Sequence, residues 1–481
     1  MPNKPITITN FFNGGLSDSL FAGLQDSLYR MVGLDPHSEP AVLKAENKLS
    51  KASGTTITEF VKWQVVSSNG RVYHFSADSG KIWETDTGGA VTLVLTTTAA
   101  AGEVKCLGAI EFQGYIIWAT ESRLHRILAT NAEGSAEWAA NKELNWQTFT
   151  VTNKSYHPMV ECNENLYIGD GYDLAEWDGT TFTGAALDLP TSQVIKCVSK
   201  LPLGTDVIMG TEGNGDITRT AIFRWNTWSV SYISEDTIDE VGVNAFIPAD
   251  NFVYVSAGKY GNIYSYDGNS LELYKKVQGT YSPTATCTVH PDATANLDGQ
   301  VLFGVSNVSG NPCLQGVYRI GRHSRNYSWI MDLAYPISER SGSDFVTSSI
   351  EIGSIVTQNQ KIYVSWKNGT TYGVDLLSTD KCNGAYFETR VMRPDRMVHS
   401  IFTSFEMAYN SLPASTALTL YYDKNYAGSY TTPTSSQVTD TDRKTISLDE
   451  GIEATALQLK VLFTCSGTST PSLETLEVHY E

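Results

Sequence analysis

The fold can be predicted from the pattern of residues 249–277, ADNFVYVSAGKYGNIYSYDGNSLELYKKV. Three short runs rich in β-branched and aromatic residues are separated by the turn formers of residues 258–261 and by Asp267-Gly268-Asn269. Alternating apolar and polar positions between turn formers are typical of an antiparallel meander. The Asp-Gly pair supplies the positive φ that a tight hairpin needs. The stretch therefore predicts three consecutive strands joined by short turns.

The same unit recurs along most of the chain. Related copies lie at residues 69–86, 113–128, 163–182, 204–232, 298–321 and 359–377. The apolar positions that we take as equivalent are separated by 41 to 61 residues; they are Val72, Ile116, Leu166, Val207, Val253, Val301 and Ile362. Repeats of about 40 to 50 residues with about four short strands each are typical of propeller blades. The pattern predicts a seven-bladed β-propeller over residues 56–392.

Residues 1–55 have a different pattern and predict an extended, partly helical N-terminal arm. Leucines recur at helical spacing from Leu16 to Met31, with Ser17 or Asp18 as a possible N-cap and Gly33 as a terminator. Such an arm packs either on its own propeller or on a neighbouring subunit. The candidate assembly interface consists of its large apolar side chains: Phe11, Phe12, Leu16, Leu20, Leu24 and Leu28.

Residues 393–481 carry strand patterns but no further copy of the repeat. The strand-like runs are residues 399–409, 418–422, 444–448, 454–463 and 473–480. Turn signals such as Leu412-Pro413 separate them. The sequence therefore predicts an all-β protein whose last domain is an antiparallel β-sandwich resembling a jelly roll.

Composition narrows the class of protein. The net charge is −18, and the sequence contains no stripe of basic residues of the kind that binds nucleic-acid phosphates. We therefore expect no specific nucleic-acid binding. The seven cysteines are scattered along the chain and contain no C-x-x-C pair. They indicate thiols packed inside a protein that is made in a reducing compartment. The first residues lack the features of a secretory signal, and no apolar run approaches membrane-spanning length, so we expect no membrane insertion.

Motif analysis predicts no catalytic residue, no cofactor and no metal site. Ser76 to Trp83 resembles the Asp-box turn of sialidase-like propellers, but that turn is structural. The Asp170 to Asp173 and Glu212 to Asp216 segments offer oxygen ligands for calcium, although Gly, Asn and Asp are also ordinary turn residues. The eight histidines have no metal-ligand spacing. Arg319, Arg322, His323 and Arg325 form one basic cluster, either a solvated loop or a contact for an acidic partner.

Binding functions remain open at this stage. The longest insertions, residues 131–146, 211–220 and 290–299, are the first places to expect a partner, because loops on a rigid scaffold commonly carry binding sites. Four aromatic residues are either carbohydrate-stacking platforms or packing between blades: Tyr115, Trp225, Trp228 and Trp366. A receptor- or carbohydrate-binding module is therefore the alternative to a structural protein.

The N-terminal segment FFNGGLSDSLFAGLQDSLYRMVGLDPHSEP, at residues 11–40, precedes the propeller and the final sandwich. This architecture resembles the propeller-bearing structural proteins of bacteriophage tails, including nozzle, DNA-stabilisation and tail-tip components. The resemblance implies a non-enzymatic virion protein that is made in the host cytoplasm and assembles with other tail proteins. It also implies a homo-oligomer or an attachment to a ring, with DNA passing nearby. It has no diagnostic motif and assigns no functional residue.

Overall fold

A computed structural model describes residues 5–9, 11–17, 19–21, 26–39, 41–97, 104–151, 155–214, 219–277, 286–307, 314–339, 350–394, 399–433, 437–438 and 443–481. These residues form two compact units. The propeller unit comprises Lys51–Gly316 and Thr347–Leu376. The terminal unit comprises Met1–Ser50, Val317–Val346 and Leu377–Glu481. The terminal unit is thus assembled from three separate parts of the chain.

The N-terminal segment contains short strands and one short helix. These elements are β1 (Ile6–Ile8), α1 (Phe11–Gly14), β2 (Leu28–Val32), β3 (Leu34–Asp35), β4 (Leu43–Ala45) and β5 (Asn47–Lys51).

Five sheets then follow one another along the chain. Their strands are β6 (Ser53–Gly54), β7 (Val61–Val66), β8 (Val72–Ser76), β9 (Gly80–Thr85) and β10 (Ala90–Thr97); β11 (Gly108–Phe112), β12 (Tyr115–Ala119), β13 (Arg123–Leu128) and β14 (Glu143–Thr148); β15 (Met159–Cys162), β16 (Asn165–Asp170), β17 (Asp173–Trp177) and β18 (Phe182–Asp188); β19 (Gln193–Lys200), β20 (Val207–Gly213), β21 (Thr220–Trp225) and β22 (Ser234–Ile238); and β23 (Val243–Pro248), β24 (Val253–Ala257), β25 (Asn262–Tyr266) and β26 (Leu271–Lys276). A 3₁₀ turn, Ala129–Asn131, and helix α2 (Gly134–Asn141) precede β14.

The remaining strands include a sixth sheet of the same kind, formed by β32, β33, β34 and β5. In chain order these strands are β27 (Cys287–Thr288), β28 (Thr294–Leu297), β29 (Gln300–Asn307), β30 (Gly316–Gly321), β31 (Ile330–Tyr335), β32 (Ile350–Gln358), β33 (Lys361–Asn368), β34 (Thr371–Lys381), β35 (Ala385–Thr389), β36 (Ser400–Tyr409), β37 (Ala417–Lys424), β38 (Gln437–Val438), β39 (Arg443–Ala454), β40 (Leu457–Thr464) and β41 (Ser472–Tyr480). None of the helices found in the described ranges is long and apolar enough to cross a membrane.

The repeat predicted from the sequence is visible in the structure. The seven positions taken as equivalent lie on β8, β12, β16, β20, β24, β29 and β33. Each of these side chains is fully buried, with 0% of its surface exposed. In six cases the strand is the second of a meander of three or four consecutive strands, so the pattern located a buried interior strand in each of these sheets.

The sheets are arranged as a propeller. The first strands of successive sheets pack against one another, from β7 through β11, β15 and β19 to β23, and β32 packs against β7. Glycine permits this close approach at Gly210 and Gly304. A Cβ atom at Gly210 would lie 2.5 Å from Val243 Cγ1, and one at Gly304 would lie 2.4 Å from Ile352 Cγ2.

The sequence predicts seven blades, but the described strands do not form seven separate blade-like sheets. The described strands form six such sheets, and the β28–β29 hairpin packs between β23 and β32. The sixth sequence copy, residues 298–321, is divided, because β29 belongs to the propeller unit whereas β30 belongs to the terminal unit from Val317 onward. Hydrophobic periodicity identifies strands but not the sheet that each strand joins.

Two sheets make up the terminal unit. One has the order β3-β4-β41-β36-β39, with β1 also paired to β41. The other contains β30-β31-β2-β35-β40-β37-β38 in that order. Strands β36, β37, β39, β40 and β41 correspond to the five runs predicted in the C-terminal region. They share their sheets with N-terminal strands, so the C-terminal region does not form its sheets alone.

The helix predicted from Leu16 to Met31 is wrong for the described part of that segment. Residues 28–32 form strand β2, which pairs antiparallel with β35 and parallel with β31. Leu28 and Val32 are fully buried there. Helix propensity is a weak preference, and the burial available inside a sheet overrides it.

A buried ion network joins the separate parts of the terminal unit. Arg319 on β30 is only 2% exposed and binds Asp332 on β31 through both Nε, at 3.2 Å, and Nη2, at 2.9 Å. Its Nη1 donates to Glu46 Oε2 at 2.7 Å, and its Nη2 also donates to the Leu34 carbonyl at 3.1 Å. The arginine therefore ties the N-terminal segment to β30 and β31.

The charge balance of this network depends on the arginine. Burial alone would lower the pKa of Arg319, but Asp332 and Glu46 outweigh it and hold that pKa well above its usual value. Burial raises the pKa of Glu46, and Arg319 offsets only part of that effect. Without Arg319, two buried carboxylates would lose their counter-ion.

We expect Arg319→Gln to destabilise the protein by about 3–5 kcal/mol, because it removes one partner of a buried ion pair. Urea unfolding followed by circular dichroism measures the change. Arg325→Gln, at an exposed position of the same unit, is the matched control and should lie within about 0.5 kcal/mol of wild type. Equal stability of the two variants would contradict a structural role for the network.

Candidate functional site

A cavity of about 140 Å³ lies where the first strands of several sheets converge. Its walls come from sheets on different sides of the propeller, since Lys62 is on β7, Lys196 on β19 and Asn244 on β23. We call it the axial cavity. Its remaining walls are Phe60, Tyr156, Thr288, Val289, His290, Pro291, Ser306, Glu351 and Ile352.

Most charged groups at the axial cavity are paired. Lys196 Nζ lies 3.3 Å from Glu212 Oε2 and donates to Asn244 Oδ1 at 3.1 Å. Glu351 Oε1 accepts from Lys367 Nζ at 2.8 Å. Their charges are therefore largely balanced before any ligand binds.

Lys62 is the exception among the described side chains that line the cavity. No carboxylate of the described ranges lies within ion-pair distance of its ammonium group, which instead lies 5.7 Å from the centre of the Phe60 ring. Burial lowers the pKa of Lys62, and the carboxylates of Glu351 and Asp78 counteract this only from a distance. Among the described residues, its three ammonium donors have no ion-pair or hydrogen-bond partner.

His290 supplies an uncharged ring to the same cavity. Burial, reinforced by Lys62 and Lys196, holds its pKa well below the usual value, so the imidazole is neutral at pH 7. Its Nδ1 accepts from the Asp292 amide at 3.3 Å, and its Nε2 is buried without a hydrogen-bond partner among the described residues. The carbonyl of Gly353 exerts a small opposing effect on the pKa.

Asp292 lies beside the cavity wall and differs from an ordinary aspartate. Burial raises its pKa to about 8, although Ser354 and the Gln64 amide favour the charged form. The Gln64 amide donates to Asp292 Oδ2 at 2.9 Å. The side chain is therefore mostly a neutral carboxyl at pH 7 and adds little negative charge to the axis.

A second feature is an apolar patch on the fourth sheet, formed by Leu203, Trp228, Val230 and Ile233. These side chains are 77%, 78%, 99% and 51% exposed, respectively. The last three lie in the connection from β21 to β22, and Leu203 lies in the turn from β19 to β20. We call this surface the β21–β22 patch.

Hydrogen bonds hold the loop that carries the patch. Asn226 Oδ1 accepts from the amides of Trp228 and Ser229 at 3.2 and 2.9 Å. Trp225 Nε1 donates to the Ser229 carbonyl at 2.8 Å. Asn163 Nδ2 donates to the Thr205 carbonyl and to Thr227 Oγ1, which joins the two turns. The exposed side chains are therefore presented by an ordered loop.

The candidate assembly interface of the arm is largely inside the fold. Phe11, Leu16 and Leu28 are 1%, 4% and 0% exposed. Phe11 packs against Phe387 with ring centres 5.6 Å apart, and the Leu16 amide donates to the Met331 carbonyl at 3.0 Å. Leu20 is half-buried; the Phe12 side chain and Leu24 lie outside the described residues. The described members therefore pack within the chain's own terminal unit.

The aromatic candidates separate into buried and exposed residues. Trp225 and Trp366 are 3% and 0% exposed, so they serve as packing. The ring of Tyr115 is covered by Arg126, whose guanidinium lies 4.5 Å from the ring centre. Trp228 alone of the four is widely exposed.

The other sequence candidates have structural surroundings. Ser76 Oγ accepts from the amides of Asp78 and Ser79, so the Asp-box-like segment is the β8–β9 turn. Burial, then Asp188 and Asp170, raise the pKa of Asp173 to about 6. Part of the Glu212 to Asp216 segment lies outside the described residues. Arg319, assigned from sequence to a basic surface cluster, is buried in the ion network instead.

Sequence spacing did not reveal one possible cation-binding arrangement. Glu406 on β36 is directly opposite Glu477 on β41, and His479 lies two residues further on. Their ligand atoms all lie within 4.8 Å of one another. Cross-strand register creates this group, and no local motif signals it. Partly exposed groups of this kind are common without a metal, and we assign none.

The sheets define the chain as an all-β protein that contains a propeller. No family model matches it, and no curated protein matches it. Among solved structures it is similar to the extracellular domain of a one component system from B. thetaiotaomicron, with 12% identity, a TM-score of 0.45, and coverage of 76% of this chain and 43% of that chain. The chain thus spans less than half the length of that domain.

Two lyase structures give comparable similarity. A catalytically inactive virginiamycin B lyase from Staphylococcus aureus has 14% identity and a TM-score of 0.46, covering 69% of this chain and 100% of that chain. A streptogramin B lyase has 10% identity and a TM-score of 0.46, covering 69% of this chain and 97% of that chain. Similarity at this level carries no argument about activity.

The raised pKa of Asp292 predicts a pH dependence of stability. The folded protein retains a proton that the unfolded chain releases near pH 3.9, so the unfolding free energy falls as pH rises from there through about 8. Within this window the Asp292 contribution has a slope of about 1.4 kcal/mol per pH unit. Urea unfolding measured at pH 6 and at pH 8 should show a smaller loss of unfolding free energy between the two pH values for Asp292→Asn than for wild type.

Asp250→Asn is the control for this experiment, because Asp250 is exposed in the same unit. It should retain the wild-type pH dependence. An Asp292→Asn variant with the full wild-type loss between pH 6 and pH 8 would show that Asp292 is already ionised at pH 6.

Proposed function

We propose that this chain is a non-enzymatic structural protein that assembles through the β21–β22 patch. The observation that carries the proposal is the exposure of four large apolar side chains on two adjoining, hydrogen-bonded turns. Single exposed apolar residues are normal, but a cluster of them is typical of a protein interaction site. Trp is also among the residues enriched at the centres of interfaces.

A second copy of this chain is the partner that we propose. The four patch side chains are uncharged, so the surface is compatible with itself across a two-fold axis. Ordered turns lower the entropy lost on association, because the loop is already held in place. Assembly into a homo-oligomer follows from this arrangement, with the patch replacing the arm as the interface.

The setting that we propose is the tail of a bacteriophage virion, after synthesis in the host cytoplasm. Its support is the resemblance of residues 11–40 and of the domain order to tail, nozzle and tail-tip proteins. Other tail proteins would then be further partners, and DNA would pass nearby without specific binding. The net charge of −18 is compatible with such passage, because it opposes tight adhesion to phosphates.

Two finer features of the fold belong to the same proposal. The β28–β29 hairpin would be the seventh blade, supported by its packing between β23 and β32. The two sheets of the terminal unit would form a β-sandwich, supported by the contact of Phe405 on β36 with Tyr422 on β37, whose ring centres are 6.4 Å apart.

Carbohydrate or receptor binding is the second candidate function, and one observation favours it. Trp228 is 78% exposed on a held loop and offers a flat apolar ring for sugar stacking. Val230 offers no such ring. The two functions therefore differ in their dependence on these neighbouring side chains.

We expect Trp228→Ser and Val230→Ser each to raise the dissociation constant of the homo-oligomer by about tenfold or more, because each removes apolar area from the interface. Analytical ultracentrifugation over a concentration series measures this change. Leu273→Ser is the matched control: Leu273 is 61% exposed on β26, outside the patch, and its replacement should leave assembly unchanged.

A wild-type protein that stays monomeric at its highest soluble concentration would contradict assembly through the patch. A glycan array distinguishes the alternative. Carbohydrate binding that is lost in Trp228→Ser but retained in Val230→Ser would identify a binding module in place of a structural protein.

A further inference from the structure

We propose that the axial cavity binds a small oxyanion, a carboxylate or a phosphate, through the Lys62 ammonium group. The cavity contains this one lysine without an ion pair among the described lining residues, whereas its neighbours are already balanced. The inference concerns a different surface from the β21–β22 patch and does not depend on the proposed function.

The charge at the cavity favours an anion over a neutral ligand. Lys62 is partly buried, and a partly desolvated ammonium group without an ion pair costs free energy, which an anion that enters the cavity reduces. Lys196 is paired with Glu212 and Asn244, and Glu351 is paired with Lys367. Glu351 and Asp78 act on Lys62 only from beyond ion-pair distance, so they compensate its charge only in part. The neutral carboxyl of Asp292 does not compensate it at pH 7 either.

Further polar groups surround the position that an anion would take. Thr288, Ser306 and Tyr156 line the same cavity. The Ser306 hydroxyl already donates to the Ile352 carbonyl at 3.3 Å and accepts from the Ile352 amide at 2.8 Å, so Thr288 and Tyr156 are the residues that offer hydroxyl donors. Hydroxyl groups can donate to an oxyanion, and an ammonium group provides the stronger charge-assisted hydrogen bonds. His290 remains a neutral neighbour and adds no competing negative charge.

The size of the cavity sets an upper limit on the ligand. Its volume of about 140 Å³ is close to that of an engineered cavity, about 150 Å³, that holds benzene. An inorganic phosphate, an acetate ion or one acidic end of a larger molecule fits this space. A sugar chain or a nucleic acid does not fit inside it.

The test compares the thermal midpoints of wild type, Lys62→Met and Lys361→Met at constant ionic strength. Inorganic phosphate and acetate are titrated separately against chloride. We expect at least one of the two anions to raise the wild-type midpoint in a saturable manner, and the affinity to fall about tenfold or more in Lys62→Met. Lys361 is exposed on β33, so its variant should respond like wild type.

The anion-free midpoints provide a second measurement. Removing a partly buried charge that has no ion pair among the described residues should leave Lys62→Met at least as stable as wild type, so loss of binding would not reflect unfolding. Saturation by phosphate alone assigns a phosphate site, and saturation by acetate alone assigns a carboxylate site. No saturable effect of either anion on wild type, or an equal effect on Lys62→Met, would overturn the proposal.

Discussion

The terminal unit depends on one buried positive charge. Arg319 reaches Glu46, which is 273 residues away in sequence, and Asp332, which is directly across the sheet. Because a buried guanidinium without counter-ions is very unfavourable, the three groups are stable only together. The network requires the N-terminal segment to pack against β30 and β31. This constraint explains why the arm is part of the fold and why Phe11, Leu16 and Leu28 are buried within the terminal unit.

The propeller unit follows from a different constraint, the close packing of first strands. Small residues such as Gly210 and Gly304 allow neighbouring sheets to approach, and the buried valines and isoleucines of the second strands fill the space between them. Convergence of strands from several sheets leaves a cavity at the axis, where polar side chains remain. Burial then changes the chemistry of those side chains: Asp292 retains its proton and His290 stays neutral. Lys62 has no ion pair among the described residues.

The propeller unit therefore presents two surface regions with different chemistry, the β21–β22 patch and the axial cavity. The β21–β22 patch is apolar, exposed and uncharged, which suits contact with another protein. The axial cavity is small and polar, and one lysine that lines it has no ion pair among the described residues, which suits a small anion. A structural protein with a ligand-dependent stability would combine both, since binding to the folded state alone stabilises it.

From the sequence alone, the strands and their repeat could be predicted. The alternation of apolar and polar residues reflects a side-chain period of two, and so it located a buried strand in every copy. It did not determine the partner of each strand: the segment that contains β2 was predicted to be helical because apolar residues from Leu16 to Met31 fit a period near 3.6, and β30 was predicted to be part of a blade. The same limit applied to the sites. Lys62, Lys196 and Asn244 are far apart in sequence, and Trp228 carried no sign of its exposure. These features depend on the tertiary structure, because burial, charge pairing and cavity formation require contacts between residues that no local sequence pattern connects.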